Sequence, residues 1–333
     1  MNAADSKEHR IFRADVHVHS FHSGYSTSFP LFRARDSYSD PDEVYRLAKS
    51  RGMDLVTITD HDSIDGCLEF LSRHPHTPDF IVGEEIECRL PDGDVTLHVG
   101  ALGIDERIHR EIQPLRDNAY DVAALLREEG VAFCLNHPFM YYRDQVELMR
   151  YVGIIASHFP AMEARNGTML SAQNELVERI VADGGGTGRC MGRFGGSDAH
   201  VLQRVGTTWT EAPASSREEF LESLIRGESR VGGEHGTTWV LAREIYGVIF
   251  NYWASLLGLG AEDLVGKERL KDLSLSAVSV PFQFVPFLVA AAKKTKETRR
   301  LELLGRRWRA FMEGESSRAS DPELALDATP RSQ

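Results

Sequence analysis

The sequence predicts an α/β protein built around a mostly parallel sheet. Short β-type runs recur along the chain, amphipathic segments alternate with them, and a polar residue stands near the end of each run. Alternation of strand and helix favours parallel strands, in a sheet that is either open or closed into a barrel. The 333 residues suffice for one barrel with an appendage or for two domains.

Seven runs are predicted to be strands, at residues 14–19, 55–59, 80–82, 95–101, 131–135, 161–164 and 191–196. A helix is predicted over 41–51, because Val44, Leu47 and Ala48 follow helical spacing while Pro41 and Gly52 suit its two ends. Two further helices are predicted over 117–129 and 173–183, each followed by a glycine. These elements place the predicted sheet within the first 200 or so residues.

The character of the sequence changes after residue 236. Residues 239–258 have the pattern of an amphipathic helix, 273–292 are twenty residues without a charge, and Lys293–Arg309 is basic. We expect a barrel domain over 12–236, a helical extension over 237–312 and a disordered tail over 313–333. The uncharged run is predicted to pack on the barrel or on a second subunit. Alternatively, the basic segment Lys293–Arg309 could attach to a membrane surface or to RNA.

Composition narrows the class of protein. The chain is 42% hydrophobic and 26% charged, as in ordinary globular proteins, which excludes disorder over the whole length. Its net charge of −12 argues against a general nucleic-acid coat protein. Four cysteines without a CxxC pair indicate a reducing compartment rather than a zinc knuckle. Because residues 1–10 lack the apolar core of a secretory signal, we expect a cytoplasmic enzyme.

Polar residues gather where the predicted strands end, which is where both parallel architectures place their sites. His17 and His19 are two residues apart on a strand, so both imidazoles face the same side. Glu85 and Asp198 add carboxylates at other strand ends, and such a mixed set suits Mn, Fe or Zn better than Ca or Mg. The residues concerned are His19, Asp60, His61, Glu85, His98, Asn136, His137, Arg165, Asn166, Asp198 and His200.

Six segments resemble, in the same order, motifs of the PHP (polymerase and histidinol phosphatase) superfamily. They are DVHVHS at 15–20, TDHD at 59–62, GEEI at 83–86, LHVG at 97–100, NHP at 136–138 and GSDAH at 196–200. The resemblance covers about residues 12–212. It implies a distorted seven-stranded (β/α) barrel that holds two or three divalent metal ions (Mn, Zn or Fe) and hydrolyses phosphate esters.

The resemblance also implies a ligand set for each metal ion. The first ion would take His17, His19, Glu85 and Asp198, and the second would share Glu85 and add His98 and His137. The third would take His61, His200 and one donor from the loop after the first strand.

That last donor departs from the family pattern. Many members carry an Asp almost directly after the first motif, but here Gly24 follows Ser23. The family's Asp also stands five residues before the proline that opens the next helix, as Asp36 stands before Pro41. We therefore predict that 24–35 is an insertion and that Asp36 is the third-site ligand, with His22 as the alternative.

Substrate contacts are predicted from arginines near the strand ends, because a guanidinium can pair with a phosphate through two hydrogen bonds. Aromatic residues of the inserted loop could stack on a base, or the loop could simply pack on the rim. Asn166 is predicted to orient groups behind the ligands, and Asp15 and Asp60 to fix histidine tautomers. The phosphate-binding candidates are Arg33, Arg143, Arg165 and Arg204, and the other loop candidates are Tyr25, Phe29, Phe32 and Arg35.

The predicted function is that of a metal-dependent phosphoesterase. It would cleave a phosphomonoester or a nucleotide-type phosphodiester with a hydroxide that bridges the metal ions, and Glu85, His137 and Asp198 would form the catalytic centre. Its partner would be a small phosphorylated substrate or a short nucleotide, and oligomers could form through the C-terminal helices. Two alternatives remain: a non-catalytic PHP domain that binds metal or a partner, and a scaffold docked on membrane or RNA.

Overall fold

A single nine-stranded sheet organises the part of the chain that the structure, a computed structural model, describes: residues 10–26, 34–93, 95–142, 146–258 and 285–319. The strand order is β7-β6-β5-β4-β3-β2-β1-β8-β9. The strands are β1 Ile11–Asp15, β2 Leu55–Ile58, β3 Phe80–Leu90, β4 Val95–Leu102, β5 Ala132–Asn136, β6 Ala161–Asn166, β7 Gly192–Gly196, β8 Thr208–Pro213 and β9 Arg230–Gly233.

The predicted count of seven strands is too low by two. Each of the seven predicted runs overlaps a strand, but β8 and β9 were missed. The first run shares only Ala14 and Asp15 with β1, so His17 and His19 follow that strand instead of lying on it. In β8 the buried positions are Thr208, Thr210 and Ala212, so the strand alternates small and polar residues instead of forming an apolar run. In β9 two of the four residues are glycine, which is depleted in strands.

The sheet curls into a nearly closed barrel at the end that carries the polar residues. Beyond β1, Val18 forms a parallel bridge with Ala199, which follows β7. The His19 N–H donates to the Ala199 carbonyl at 3.0 Å, and the Asp198 N–H donates to the His17 carbonyl at 2.8 Å. The first and last motifs are therefore hydrogen-bonded neighbours.

The expectation of a mostly parallel sheet is wrong in the middle of the sheet and at one of its ends. Strand β4 runs antiparallel to both β3 and β5, and β8 runs antiparallel to β1 and β9. The cause is local: β3 continues to Leu90 and the turn signal Pro91-Asp92-Gly93 returns the chain directly. Because β4 is reversed, His98 lies inside its strand and still meets the carboxyl ends of the neighbouring parallel strands.

Helices cover the outside of the barrel. The predicted helix at 41–51 is confirmed as α1, with Asp40 capping its N-terminus and Val44 and Ala48 buried. The predicted helices at 117–129, 173–183 and 239–258 correspond to α4, α6 and α8. The helices are α1 Pro41–Ser50, α2 Asp65–Arg73, α3 Glu106–Ile112, α4 Ala119–Glu128, α5 Leu148–His158, α6 Ser171–Ala182, α7 Arg217–Ile225, α8 Thr238–Leu256 and α9 Val285–Ala319.

The C-terminal helix α9 packs on the barrel. Leu301, Leu304 and Trp308 are buried in the core that α4, α5 and α6 form with β3 to β6, and the Trp308 indole donates to Asp183 at 2.8 Å. Helix α9 runs to Ala319, so the tail predicted to be disordered from 313 begins as helix. Residues 320–333, and most of the uncharged 273–292 run, lie outside the described residues. Of the helices described, none has both the length and the hydropathy needed to cross a bilayer.

Candidate metal centre

Nine side chains converge where the first strand meets the last motif. Their nitrogen and carboxylate atoms form overlapping groups in which all atoms lie within 4.8 Å of one another. Every residue predicted as a metal ligand belongs to at least one group. The groups are His17-His19-Glu85, His17-His137-Asp198, His61-Glu85-His98 and His19-Asp36-His61-His200.

Glu85 lies at the centre of the cluster and is fully buried. Its Oε1 lies 3.1 Å from His17 Nε2, 3.0 Å from His137 Nε2 and 3.2 Å from His98 Nδ1. Its Oε2 lies 3.1 Å from His61 Nδ1. A carboxylate whose two oxygens face different histidines has the arrangement that a bridge between two cations requires.

Asp198 supplies a second buried carboxylate to the cluster. Its Oδ1 lies 3.4 Å from the Nε2 atoms of both His17 and His19. Asn166 and Thr168 donate to its other oxygen at 3.1 and 2.8 Å. The backbone of Asp198 has a φ of 53°, in the left-handed region that residues other than glycine seldom adopt. Such strain is held by surrounding structure and tends to occur at functional sites.

Asp36 lies with His61 and His200 in the more exposed, outer part of the cluster. Its Oδ2 lies 2.7 Å from His200 Nε2 and 3.4 Å from His61 Nε2. The inserted loop leaves and returns at one place, because the Asp36 N–H donates to the Gly24 carbonyl at 3.0 Å. The alternative ligand, His22, instead pairs with Glu69 at 2.7 Å. Residues 27–33 of the loop lie outside the described residues.

The electrostatics of the cluster favour a positive charge at its centre. Burial alone would raise the pKa values of the three carboxylates, but the adjacent histidines hold them well below the usual range; these are Asp36, Glu85 and Asp198. Conversely, although burial opposes it, Glu85 raises the pKa of His98 to about 10. The pKa of His19 shifts in the opposite direction, because burial and the neighbouring His200 and His61 lower it to about 3. Ionised carboxylates packed in this way require cations, either protons or metal ions.

The donor atoms fit divalent metal ions. Glu85 Oε2 and both ring nitrogens of His98 are buried and make no hydrogen bond within the described part of the chain. Each of these atoms nevertheless lies 3.1 to 3.7 Å from another polar atom, so the atoms are close together but form no hydrogen bond. Six imidazoles and three carboxylates form a donor set suited to Mn, Fe or Zn.

Glu163 is a functional residue that the sequence reading missed. Its carboxylate accepts from His137 N–H and from Asn166 Nδ2, both at 2.9 Å, and lies 2.9 Å from His17 Nδ1. It therefore fixes the ring of His17 from behind, and Asn166 lies behind the ligands as predicted. The available signal was an acidic residue inside a predicted strand, where an unpaired carboxylate would be costly.

The predicted roles of Asp15 and Asp60 need correction. Asp15 accepts from the backbone N–H groups of Ser197 and Gly206, at 2.8 and 2.6 Å, and so supports the barrel closure rather than a histidine ring. Burial raises its pKa to about 6. Asp60 acts indirectly: it accepts from the Ser23 hydroxyl at 2.7 Å, and that hydroxyl lies 2.9 Å from His19 Nδ1.

The arginines predicted to bind phosphate are directed elsewhere where they are described. Arg204 is buried and donates to the Gly167 carbonyl at 2.8 Å and to Glu234 at 2.5 Å. Arg165 donates to the Gly233 carbonyl at 2.9 Å. Both guanidinium groups thus serve the loops around the site. Arg33, Arg143, Phe29 and Phe32 lie outside the described residues, while Arg35 donates to the Phe21 carbonyl and lies over the Tyr25 ring.

A second missed residue, Glu244, reaches the cluster from the C-terminal extension. It lies on α8, is buried, and has its Oε1 3.5 Å from Arg204 Nε. Burial raises its pKa to about 8, with the nearby His200 opposing that shift. The first helix of the extension therefore lies behind His200, one of the ligands predicted for the third ion.

Comparison with known proteins gives partial matches. A family model described as PHP-associated matches residues 191–229, which include β7, Asp198 and His200. An uncharacterised protein of Methanocaldococcus jannaschii is 26% identical over 128 residues, covering 38% of this chain and 68% of its own length.

Two solved structures are similar in part. PsfC of Pseudomonas syringae aligns with a TM-score of 0.47 and 17% identity, over 74% of this chain and 99% of its own. A two-domain protein of Bacteroides vulgatus, described as containing a predicted PHP-like metal-dependent phosphoesterase, aligns with a TM-score of 0.45 and 17% identity. That alignment covers 72% of this chain and 70% of the other. With TM-scores below 0.5, neither alignment establishes a common function.

Proposed function

We propose that this chain is a metal-dependent phosphoesterase of the PHP superfamily, acting on a phosphomonoester or a nucleotide-type phosphodiester. The observation that carries the proposal is the position of Glu85. One buried carboxylate lies within 3.2 Å of nitrogens from four histidines, and two further carboxylates flank the same cluster. A purely structural core has no use for so many ionised groups in one place.

The proposed metal ligands follow the groups of adjacent atoms. His17, His19, Glu85 and Asp198 would hold the first ion, and Glu85, His98 and His137 the second. Asp36, His61 and His200 would hold the third. When bound, such ions lower the pKa of water toward neutrality and offset the negative charge that develops on phosphoryl oxygens.

The chain's own residues prepare that chemistry. Glu163 holds His17 through Nδ1, which leaves Nε2 of the ring facing Glu85. Asn166 and Thr168 hold one oxygen of Asp198, so the other faces His17 and His19. We propose Glu85, His137 and Asp198 as the residues closest to the reacting phosphorus.

The alternative of a non-catalytic PHP domain is less well supported. Such a domain would have no need to retain all nine ligand residues, and here each ligand position carries a His, Asp or Glu whose side chain reaches the cluster. Contact of Lys293–Arg309 with a membrane surface or RNA stays a prediction, as does an oligomer formed through the C-terminal helices.

The test is metal analysis combined with hydrolysis assays on the full chain. Protein reconstituted with Mn, Fe or Zn is assayed with 4-nitrophenyl phosphate, a monoester, and bis(4-nitrophenyl) phosphate, a diester. We expect two or three ions per chain and release of nitrophenolate from at least one ester. Stoichiometric metal without turnover of either ester, or of a wider panel of nucleotides, would favour the non-catalytic alternative.

A further inference from the structure

We propose that Tyr141 is a substrate-contacting residue, donating its hydroxyl to a phosphoryl oxygen, and that Arg300 of the C-terminal extension is the positioning residue that holds its loop. This inference rests on the proposed phosphoesterase function and deepens it. Neither residue belongs to the motifs of the resemblance, and neither was predicted from sequence.

The segment after His137 is built to display Tyr141. Phe139 and Tyr142 are each 1% exposed and anchor the segment in the core, where both pack on Tyr151. The Met140 N–H donates to the His137 carbonyl at 2.9 Å, which closes a turn. With one anchor on each side, the intervening pair, Met140 and Tyr141, points away from the core.

Tyr141 turns toward the metal centre. Its ring centroid lies 5.1 Å from that of His98 and 6.5 Å from that of His137, and the side chain is only half-buried. Within the described residues the hydroxyl has no hydrogen-bond partner, whereas the neighbouring Tyr142 donates to the Val146 carbonyl at 2.9 Å. A protonated phenol beside two ligands of the second proposed ion is placed to donate to an anionic substrate.

Arg300 connects this segment to helix α9. Its Nη1 donates to the Tyr142 carbonyl at 2.7 Å and its Nη2 to the Phe139 carbonyl at 3.2 Å. The guanidinium also lies over the Tyr142 ring, 5.8 Å from its centroid. One planar group therefore binds both anchors of the displayed pair, which a lysine could not do in the same way.

The position of Arg300 is itself fixed. Glu297, one turn earlier on α9, pairs with it at 2.6 Å. Leu301 and Leu304 on the same helix are 1% exposed in the core. Helix α9 is thus a rigid support, and the C-terminal extension controls where Tyr141 stands.

The substrate contact is tested with Tyr141→Phe against Tyr142→Phe, two adjacent removals of a hydroxyl. We expect Tyr141→Phe to lower kcat/KM for the hydrolysed nitrophenyl ester about tenfold to a hundredfold, the usual effect of losing a hydrogen bond to a charged group. Metal content should be unchanged. Tyr142→Phe should lower thermal stability slightly and leave kcat/KM within about twofold. Equal kcat/KM for wild type and Tyr141→Phe would overturn the contact.

The positioning role is tested with Arg300→Gln against Arg299→Gln, its exposed neighbour on α9. Arg300→Gln should lower kcat/KM severalfold in the wild type. In the Tyr141→Phe background it should lower kcat/KM hardly further, because both changes disrupt the same contact with the substrate. Equal losses in both backgrounds would show a general structural effect and overturn the assignment. Arg299→Gln should have no effect in either.

Failure of the contact can be separated from failure of the proposed function. If wild-type protein binds metal but hydrolyses no ester, calorimetric binding of inorganic phosphate to the metal-loaded chain replaces the assay. Weaker phosphate binding by Tyr141→Phe than by Tyr142→Phe supports the contact, and equal binding overturns it.

Discussion

The two parts of the proposed metal centre differ in how they are enclosed. In the inner part, the side chains of His17, His19 and Glu85 are at most 1% exposed. In the outer part, those of Asp36, His61 and His200 are 20 to 26% exposed. The inner residues belong to the hydrogen-bonded barrel and its closure, whereas Asp36 arrives on a loop.

This difference indicates two kinds of site within one cluster. The inner part is held by residues behind it, such as Glu163 and Asn166, and is shielded from water. The outer part is reached by solvent and depends on the return of an inserted loop to Gly24. We expect the inner part to bind metal tightly and the outer part to exchange it more readily.

The largest effect is expected from Glu85→Gln. The change removes the carboxylate that the first two proposed ions share, so ester hydrolysis should fall at least a hundredfold, beyond the effect typical of residues behind the ligands. Its matched control is Glu84→Gln, since Glu84 is equally buried but faces His109 and Gln113 on the other side of β3. Steady-state assays give the activity of the two variants, and metal analysis gives their ion content. Activity of Glu85→Gln within tenfold of wild type would rule out a bridging role.

Glu163→Gln should have the next largest effect and should act on the inner part alone. Without the charge that holds His17 Nδ1, the affinity for the inner ions should fall about tenfold to a hundredfold. Competition with a metal-sensitive dye gives the affinity. Loss of the outer ion instead would contradict the division into two parts.

Asp36→Ala should affect the outer part alone. Removing the charge between His61 and His200 should lower metal content by about one ion per chain and activity by about tenfold, with little change in stability. His22→Ala is the control, because His22 pairs with Glu69 and should change neither quantity. If the two variants behaved in the reverse way, His22 would be the ligand.

The smallest effect concerns the order of metal loss. A chelator should remove one ion quickly and the rest slowly, and the fast phase should be absent from Asp36→Ala. Because metal binds the folded chain, complete removal should lower Tm by a few degrees, since a ligand at a hundred times its Kd stabilises by about 2.7 kcal/mol. A single uniform phase of metal release in the wild type would show that the two parts do not differ.

The types of group at the centre could be predicted from sequence because they depend on local rules. The two-residue spacing of His17 and His19 just after β1 places both rings on one side, and the motifs of the resemblance place the remaining donors near strand ends. Asp36 could be placed only through the resemblance, by the family's spacing to the proline that opens the next helix; the insertion before it adds little closure entropy.

Other features were decided only by the tertiary structure. The reversal of β4, the hold of Glu163 on His17, the approach of Glu244 from α8 and the hold of Arg300 on the Tyr141 loop all join residues that are distant in sequence. Periodicity reports which face of an element is buried, but it does not report which distant element covers that face. The sequence by itself therefore determined which donors gather at the strand ends. The packing of the chain decided which side chains orient those donors.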